Sequence, residues 1–195
     1  RLYISSKGEI FGDGNGYGEE LGPGYFIDHT TNTHPGGSHG GRGGFQLFPT
    51  KPYIGYTNSY RQHRIVYDTP LKYGEQGGTY GSYLQPTTQG SGGSKYVVNP
   101  VENGCFGGSG GAALKIEATT EAMINGTVSM SGSDGQTSLV GTYGNNDLHA
   151  SGAGSGGSVW IVTPNLRGSG VIRADGGNSV KSRRSHTLVD NQGGA

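Results

Sequence analysis

The chain is poor in most of what catalysis, membrane insertion or covalent stapling needs. It has one cysteine, Cys105, in 195 residues, so no disulfide can form within it. An intermolecular disulfide through Cys105 is one reading, and a small buried residue beside Phe106 is the other. Charged residues make up 14% of the chain, and the 14 basic side chains balance the 14 acidic ones. A balanced surface lacks the basic face that nucleic acid requires, so no nucleic-acid partner is expected. Disorder through charge repulsion is equally unsupported. No apolar run approaches the roughly 20 residues of a membrane-spanning helix, and no membrane insertion is expected. The apolar set reaches only 30%.

Glycine fills the gap. It supplies 41 residues, about three times the roughly 7% of ordinary proteins. Side-chain volume is thus replaced by backbone, which predicts a thin core and close approach of one backbone to another.

A repeat organises these glycines. Leu2-Tyr3-Ile4 precedes Gly8-Glu9-Ile10 and Gly14. Leu114-Lys115-Ile116 precedes Gly126-Thr127-Val128 and Gly132. Val159-Trp160-Ile161 precedes Gly170-Val171-Ile172 and Gly176. Each unit reads as two short strands with glycine at the bends, and the second and third copies lie 44 or 45 residues apart. Alternation with a period of two is strand patterning, and helical spacing is absent. Gly-Ser-Gly-Gly cassettes at Gly90–Gly93 and Gly154–Gly157 and a longer one at Gly107–Gly111 precede strands.

The expected class is all-β. It is a glycine-rich parallel β-helix, or β-solenoid, in which stacked units pair about 4.8 Å apart. Ile4, Ile10, Leu114, Ile116, Val128, Ile161 and Ile172 would point inward. The alternative is a small sheet beside bundled polyglycine-II strands, whose backbone groups must find partners in neighbouring strands. One domain spans 1–195. A Tyr/Pro-rich insertion, 45–86, interrupts it and carries the candidates for assembly contacts: Tyr53, Tyr56, Tyr60, Arg61, Arg64 and Tyr67. Tyr and Arg are good interface anchors.

Motifs that could carry chemistry fail their context. His29, His34 and His39, with Asp28, lack an established metal-ligand spacing, so no metal site is expected. Gly12-Asp13-Gly14-Asn15-Gly16 lacks the bidentate Glu of a calcium loop, and a turn explains it better. The same stretch opens no helix, so it fails as a nucleotide loop. The acidic residues are scattered rather than paired for hydrolysis. No catalytic residue, cofactor site or enzymatic activity is expected. Asn125-Gly126-Thr127 is a sequon, which makes Asn125 the glycosylation candidate.

The run from Gly8 to Tyr17, the Gly36–Gly44 cassette, Tyr80-Gly81-Ser82 and Ile172-Arg173-Ala174-Asp175-Gly176-Gly177 together carry a resemblance. The chain resembles glycine-rich β-helical segments of very large cell-surface and extracellular proteins of protists, algae and plants. The resemblance covers most of the chain outside 45–79. It implies a structural role in surface coats, adhesive proteins or fibres such as flagellar hairs, and it carries over no catalytic residues. The expected function is an extracellular glycoprotein fibril component that self-assembles with copies of itself. The strand pattern runs from Leu2 to the closing Gly193-Gly194-Ala195 without a cap, which predicts a segment of something longer and open stacking ends. The alternative is a carbohydrate-binding or adhesive module, with glycans as partners of the tyrosines in 53–83.

Overall fold

The structure, a computed structural model, describes residues 1–25, 35–44, 77–95, 105–142 and 145–178. It describes 53–55, 64–66, 181–184 and 187–190 as strand backbone, and 138–142 and 145–149 at backbone level only. Among the described residues there is no helix.

The described residues form fourteen strands: β1 Leu2–Ile4, β2 Glu9–Phe11, β3 Tyr53–Gly55, β4 Arg64–Val66, β5 Ala113–Glu117, β6 Ala122–Ile124 and β7 Thr127–Ser129; then β8 Thr137–Thr142, β9 Asn145–Ala150, β10 Ser158–Val162, β11 Leu166–Arg167, β12 Val171–Arg173, β13 Lys181–Arg184 and β14 Thr187–Asp190. The described part is strand-rich and built from small sheets, none of them closed, which is compatible with an all-β class.

Three parallel layers arise from the repeat. The middle layer is β5, β6 and β7. On one side β1 pairs with β6 and β2 with β7. On the other side β10 pairs with β5, β11 with β6 and β12 with β7. All these pairings are parallel, so sequence repeats stack on themselves. Their inner faces bury Ile4, Ile124, Val128 and Met130. Leu2, Ile10, Ala112, Leu114, Val159 and Ile161 pack against this core while partly exposed.

Two sequence expectations need correction. Leu2-Tyr3-Ile4 does not stack on Leu114-Lys115-Ile116; it pairs with Ala122-Met123-Ile124. Among the described residues the first layer has no strand against β5, so the alignment by apolar spacing matched the wrong strand. Ile172 is also not enclosed. It is 43% exposed because no described strand lies on the outer side of β12. Ile4, Ile116 and Val128 are buried as expected, and Ile10, Leu114 and Ile161 are half-buried.

The glycine cassettes form no regular strands, yet their backbones bond laterally. Gly16 and Gly93 donate to Gly110 and Gly108 carbonyls (2.7 and 2.8 Å). From the same segment Gly110 donates to Tyr17, Gly108 to Gly152 and Gly111 to Ser155, and Ser133 donates to Ser109. Segment 107–111 therefore bonds to 16–17, 93, 133 and 152–155, where a β-strand bonds in two opposite directions only. Glycine is required by this approach: a Cβ added to Gly110 would overlap the Gly90 carbonyl group, and one on Gly108 the Ser133 carbonyl oxygen.

Serines take the places where a side chain fits. Ser38, Ser91 and Ser155 are fully buried. Ser155 Oγ accepts from Ser91 N (2.7 Å), Ser91 Oγ from Gly24 N (2.9 Å) and Ser38 Oγ from Gly43 N (2.9 Å). These hydroxyls satisfy backbone donors that neighbouring carbonyls do not reach.

β8 and β9 pair antiparallel directly after the second layer, and β13 and β14 after the third. The two hairpins meet through Arg183 and Leu148 in one four-stranded sheet. Of the insertion at 45–86, β3 and β4 pair antiparallel. Residues 77–86 return onto the glycine segments, where Tyr80 N donates to the His39 carbonyl (2.9 Å).

Candidate functional site

Two surfaces combine exposure with built geometry: the outer edges of the strand layers, and a cleft where residues 79–86 lie against the glycine segments.

At the edges, side-chain oxygens of one layer accept backbone N–H groups of the next. Asp13 Oδ1 in the first layer accepts from Ser131 N in the second (2.7 Å). Ser131 Oγ accepts from Asp175 N in the third (3.3 Å). Asn125 Oδ1 accepts from Ser169 N (3.2 Å). Asp134 Oδ1 accepts from both Asn178 N (2.7 Å) and Asn178 Nδ2 (3.1 Å). The last three pairs are each 44 residues apart, one repeat. In every case an oxygen of the earlier layer caps an N–H of the later one. Charge is layered as well. Glu121 bonds Arg1 of the first layer and lies 3.4 Å from Arg167 of the third. Lys115 Nζ stands 4.4 Å above the ring of Trp160, its register partner across β5 and β10, a cation–π contact.

The outermost layers leave apolar surface uncovered. Tyr3 and Phe11 are 63% and 66% exposed on one side, and Leu166 is 54% exposed on the other, beside Val171 and Ile172. Small sheets with such edges are templates for strand addition.

The cleft has a volume of about 520 Å3. Tyr80, Tyr83, Pro86 and Val159 give it apolar surface, and Thr79, Ser82, Ser158 and glycine backbone give it polar groups. Among the described residues no charged side chain lines it. His39 forms its floor, with its ring 4.7 Å from that of Tyr80. His39 Nδ1 lies 2.8 Å from the Gly156 carbonyl and Nε2 2.8 Å from Thr88 Oγ1. A carbonyl only accepts, so Nδ1 carries the proton and donates to it. Tyr80 donates to the Gln89 carbonyl and accepts from Ser91 Oγ (2.8 Å). Burial raises its pKa above the usual tyrosine value, which the Ser91 hydrogen bond partly offsets. Tyr83 is almost wholly exposed at the rim.

Comparison of the chain with protein-family models, curated proteins and solved structures gives no match. The sites therefore rest on their own geometry.

The sequence candidates fall as follows. Tyr56, Tyr60, Arg61 and Tyr67 lie outside the described residues, as do Asp28, His29 and His34. Tyr53 and Arg64 are placed only as backbone, at the ends of β3 and β4. His39, the third spaced histidine, is described, and both its ring nitrogens already have protein partners. Asn125 sits at the β6–β7 corner, half-buried, with Oδ1 accepting from Ser169 N. Cys105 is buried, so bonding to another chain would first require its sulfur to reach the surface. Tyr80 and Tyr83 fell within the carbohydrate reading of 53–83 without being singled out. The layer-to-layer caps were missed entirely, although Asp13, Ser131 and Asp175 stand at one position of the repeat.

Proposed function

We propose that the protein is an extracellular structural module that assembles with copies of itself, end to end, into a filament or surface coat. The observation that carries this is the pair of open strand edges, with Tyr3 and Phe11 exposed on one and Leu166, Val171 and Ile172 on the other. Each exposes apolar side chains beside strands that, among the described residues, pair on one side only. Burying such edges against another chain removes apolar surface from water and supplies partners for edge N–H and C=O groups. The module would combine both architectures expected from sequence. The parallel layers act as turns of an open β-solenoid. The glycine segments act as a polyglycine-II bundle, a reading supported by their lateral bonds in more than two directions. An N-glycan at Asn125 fits this extracellular reading.

Electron microscopy and sedimentation of the purified protein over rising concentration test the proposal. Filaments or a concentration-dependent oligomer series are expected. A monodisperse monomer at every concentration overturns it.

The cleft favours a second reading, a carbohydrate-binding module. An exposed tyrosine ring beside hydroxyls and backbone groups, with no charge, suits a neutral sugar ring better than an ionic ligand. Glycan-array binding that saturates for the native protein and vanishes in Tyr83→Ala supports this reading. No saturable binding refutes it.

A further inference from the structure

We infer that copies join with a single polarity and in a fixed register, the β11–β12 edge of one copy docking on the β1–β2 edge of the next. The inference rests on the self-assembly reading and adds to it the direction and the residue pairs.

The register comes from the chain's own layers. Ala122 is the shared partner of Leu2 and Leu166, and Val128 that of Ile10 and Ile172. One further parallel step therefore sets Leu166 against Leu2 of the next copy and Ile172 against Ile10. The outward positions match too. Ser129 pairs with both Phe11 and Arg173, and Met123 with both Tyr3 and Arg167. Continuing the stack brings the Arg173 guanidinium against the Phe11 ring and Arg167 against Tyr3. The chain already makes this kind of pair between its second and third layers, where Lys115 covers Trp160 at 4.4 Å. Glu9 then lies diagonally across from Arg173, opposite in charge.

The polarity comes from the caps. An oxygen of each layer accepts the next layer's N–H: Asp13 from Ser131, then Ser131 from Asp175. At the third layer the Asp175 carboxylate holds the position of acceptor with no later layer to serve among the described residues. At the first layer Asp13 N–H holds the position of donor. Only the β12-to-β2 arrangement joins them. Joining two β12 edges would leave each Asp175 carboxylate without the corner N–H that its position caps in the earlier layers. The contact is heterologous, so it propagates instead of closing into a dimer.

Two blocked variants read the polarity: Phe11→Lys, which spoils one edge, and Ile172→Lys, which spoils the other. Each alone should sediment as the 20.2 kDa monomer. Mixed, the intact β12 edge of Phe11→Lys should take the intact β2 edge of Ile172→Lys, giving a one-to-one dimer of twice that mass and nothing longer. If each variant dimerises on its own while mixing adds nothing, like edges join and the polarity is overturned. A native protein that never oligomerises overturns the assembly reading and this inference together.

Circular dichroism matching the native protein confirms that each variant is folded. If either is not, cysteine pairs replace them, in a Cys105→Ser background. Oxidising a mixture of Phe11→Cys and Arg173→Cys proteins should give the cross-linked heterodimer, because adjacent strands about 4.8 Å apart lie within disulfide reach. A mixture of Phe11→Cys with Leu166→Cys should give at least tenfold less. Equal yields overturn the register.

Discussion

Substituting one central glycine by alanine should cost more than most core truncations in this protein. Gly110 is the test. An added Cβ there would sit on the Gly90 carbonyl group, well inside the 3.0 Å that real Cβ contacts respect. Backbone, not a flexible side chain, stands in the way, so the two segments must separate. Four hydrogen bonds tie this spot: Gly110 N to Tyr17 O (2.8 Å), Gly16 N to Gly110 O (2.7 Å), Tyr17 N to Gly90 O (3.0 Å) and Gly90 N to Gly111 O (2.9 Å). At about 0.5–1.5 kcal/mol each, losing them all costs roughly 2–6 kcal/mol. That is a large share of the roughly 5–15 kcal/mol that holds a typical domain. Gly40→Ala is the control, since nothing lies within 4 Å of a Cβ at that site and its φ is not positive. It should change stability by about 0.5 kcal/mol or less, or stabilise slightly by restricting the unfolded chain. Urea unfolding of native, Gly110→Ala and Gly40→Ala proteins decides the matter. Similar midpoints for the two variants would refute the claim that backbone proximity fixes glycine in these cassettes.

The other predictions concern single side chains. Val128→Ala removes two methyl groups from a fully buried site between the layers, and should lower unfolding free energy by about 2 kcal/mol in the same assay. Ser155→Ala leaves the buried Ser91 N–H without its 2.7 Å acceptor, a loss of about 1–3 kcal/mol, whereas an exposed serine such as Ser82 should tolerate the change. Tyr25 is pushed up to about 12 by burial and by the nearby Glu20 carboxylate, from an ordinary value of 10.0. The fold thus favours the neutral phenol, so this contribution is complete below about pH 10 and drains away as pH rises through 12. Thermal melts between pH 9 and 12 should show the decline, and Tyr25→Phe should shrink it. Because the buried Tyr25 hydroxyl has no hydrogen-bond partner among the described residues, that variant should be no less stable than the native protein at pH 7.

The strands of the second half were legible because apolar residues alternate with a period of two and the same spacing recurs. Thr127–Ser129 and Val171–Arg173 stack as their alignment predicts. Leu2–Ile4 misled because two strands of the middle layer, β5 and β6, offer an apolar residue at alternate positions, and spacing cannot say which is the neighbour. Ala122-Met123-Ile124 passed unnoticed as a strand for want of a flanking cassette. The hairpins β8–β9 and β13–β14 belong to the repeat, each following one layer, but Thr137–Ala150 and Lys181–Asp190 share no side-chain pattern that alignment could catch. The cleft was only half legible. Tyr80 and Tyr83 stand out as aromatics, but their meeting with His39 depends on a chain return across some 40 residues. The caps were hidden for a different reason: Ser131 stands where the other two layers carry Asp13 and Asp175, and only the stacked geometry reveals that Asp13 and Ser131 each offer an oxygen to the next layer.

The lateral bonding of the glycine segments has a mechanical consequence. A flat sheet fails by peeling, because a pulled edge strand surrenders its bonds one after another. Segment 107–111 is held on several sides at once, by 16–17, 93, 133 and 152–155. A transverse load on this segment meets bonds to several neighbouring segments, where a sheet strand is held by two. Toughness of this sort comes from backbone alone and does not depend on a large apolar core, which suits a chain with so little apolar side chain to bury.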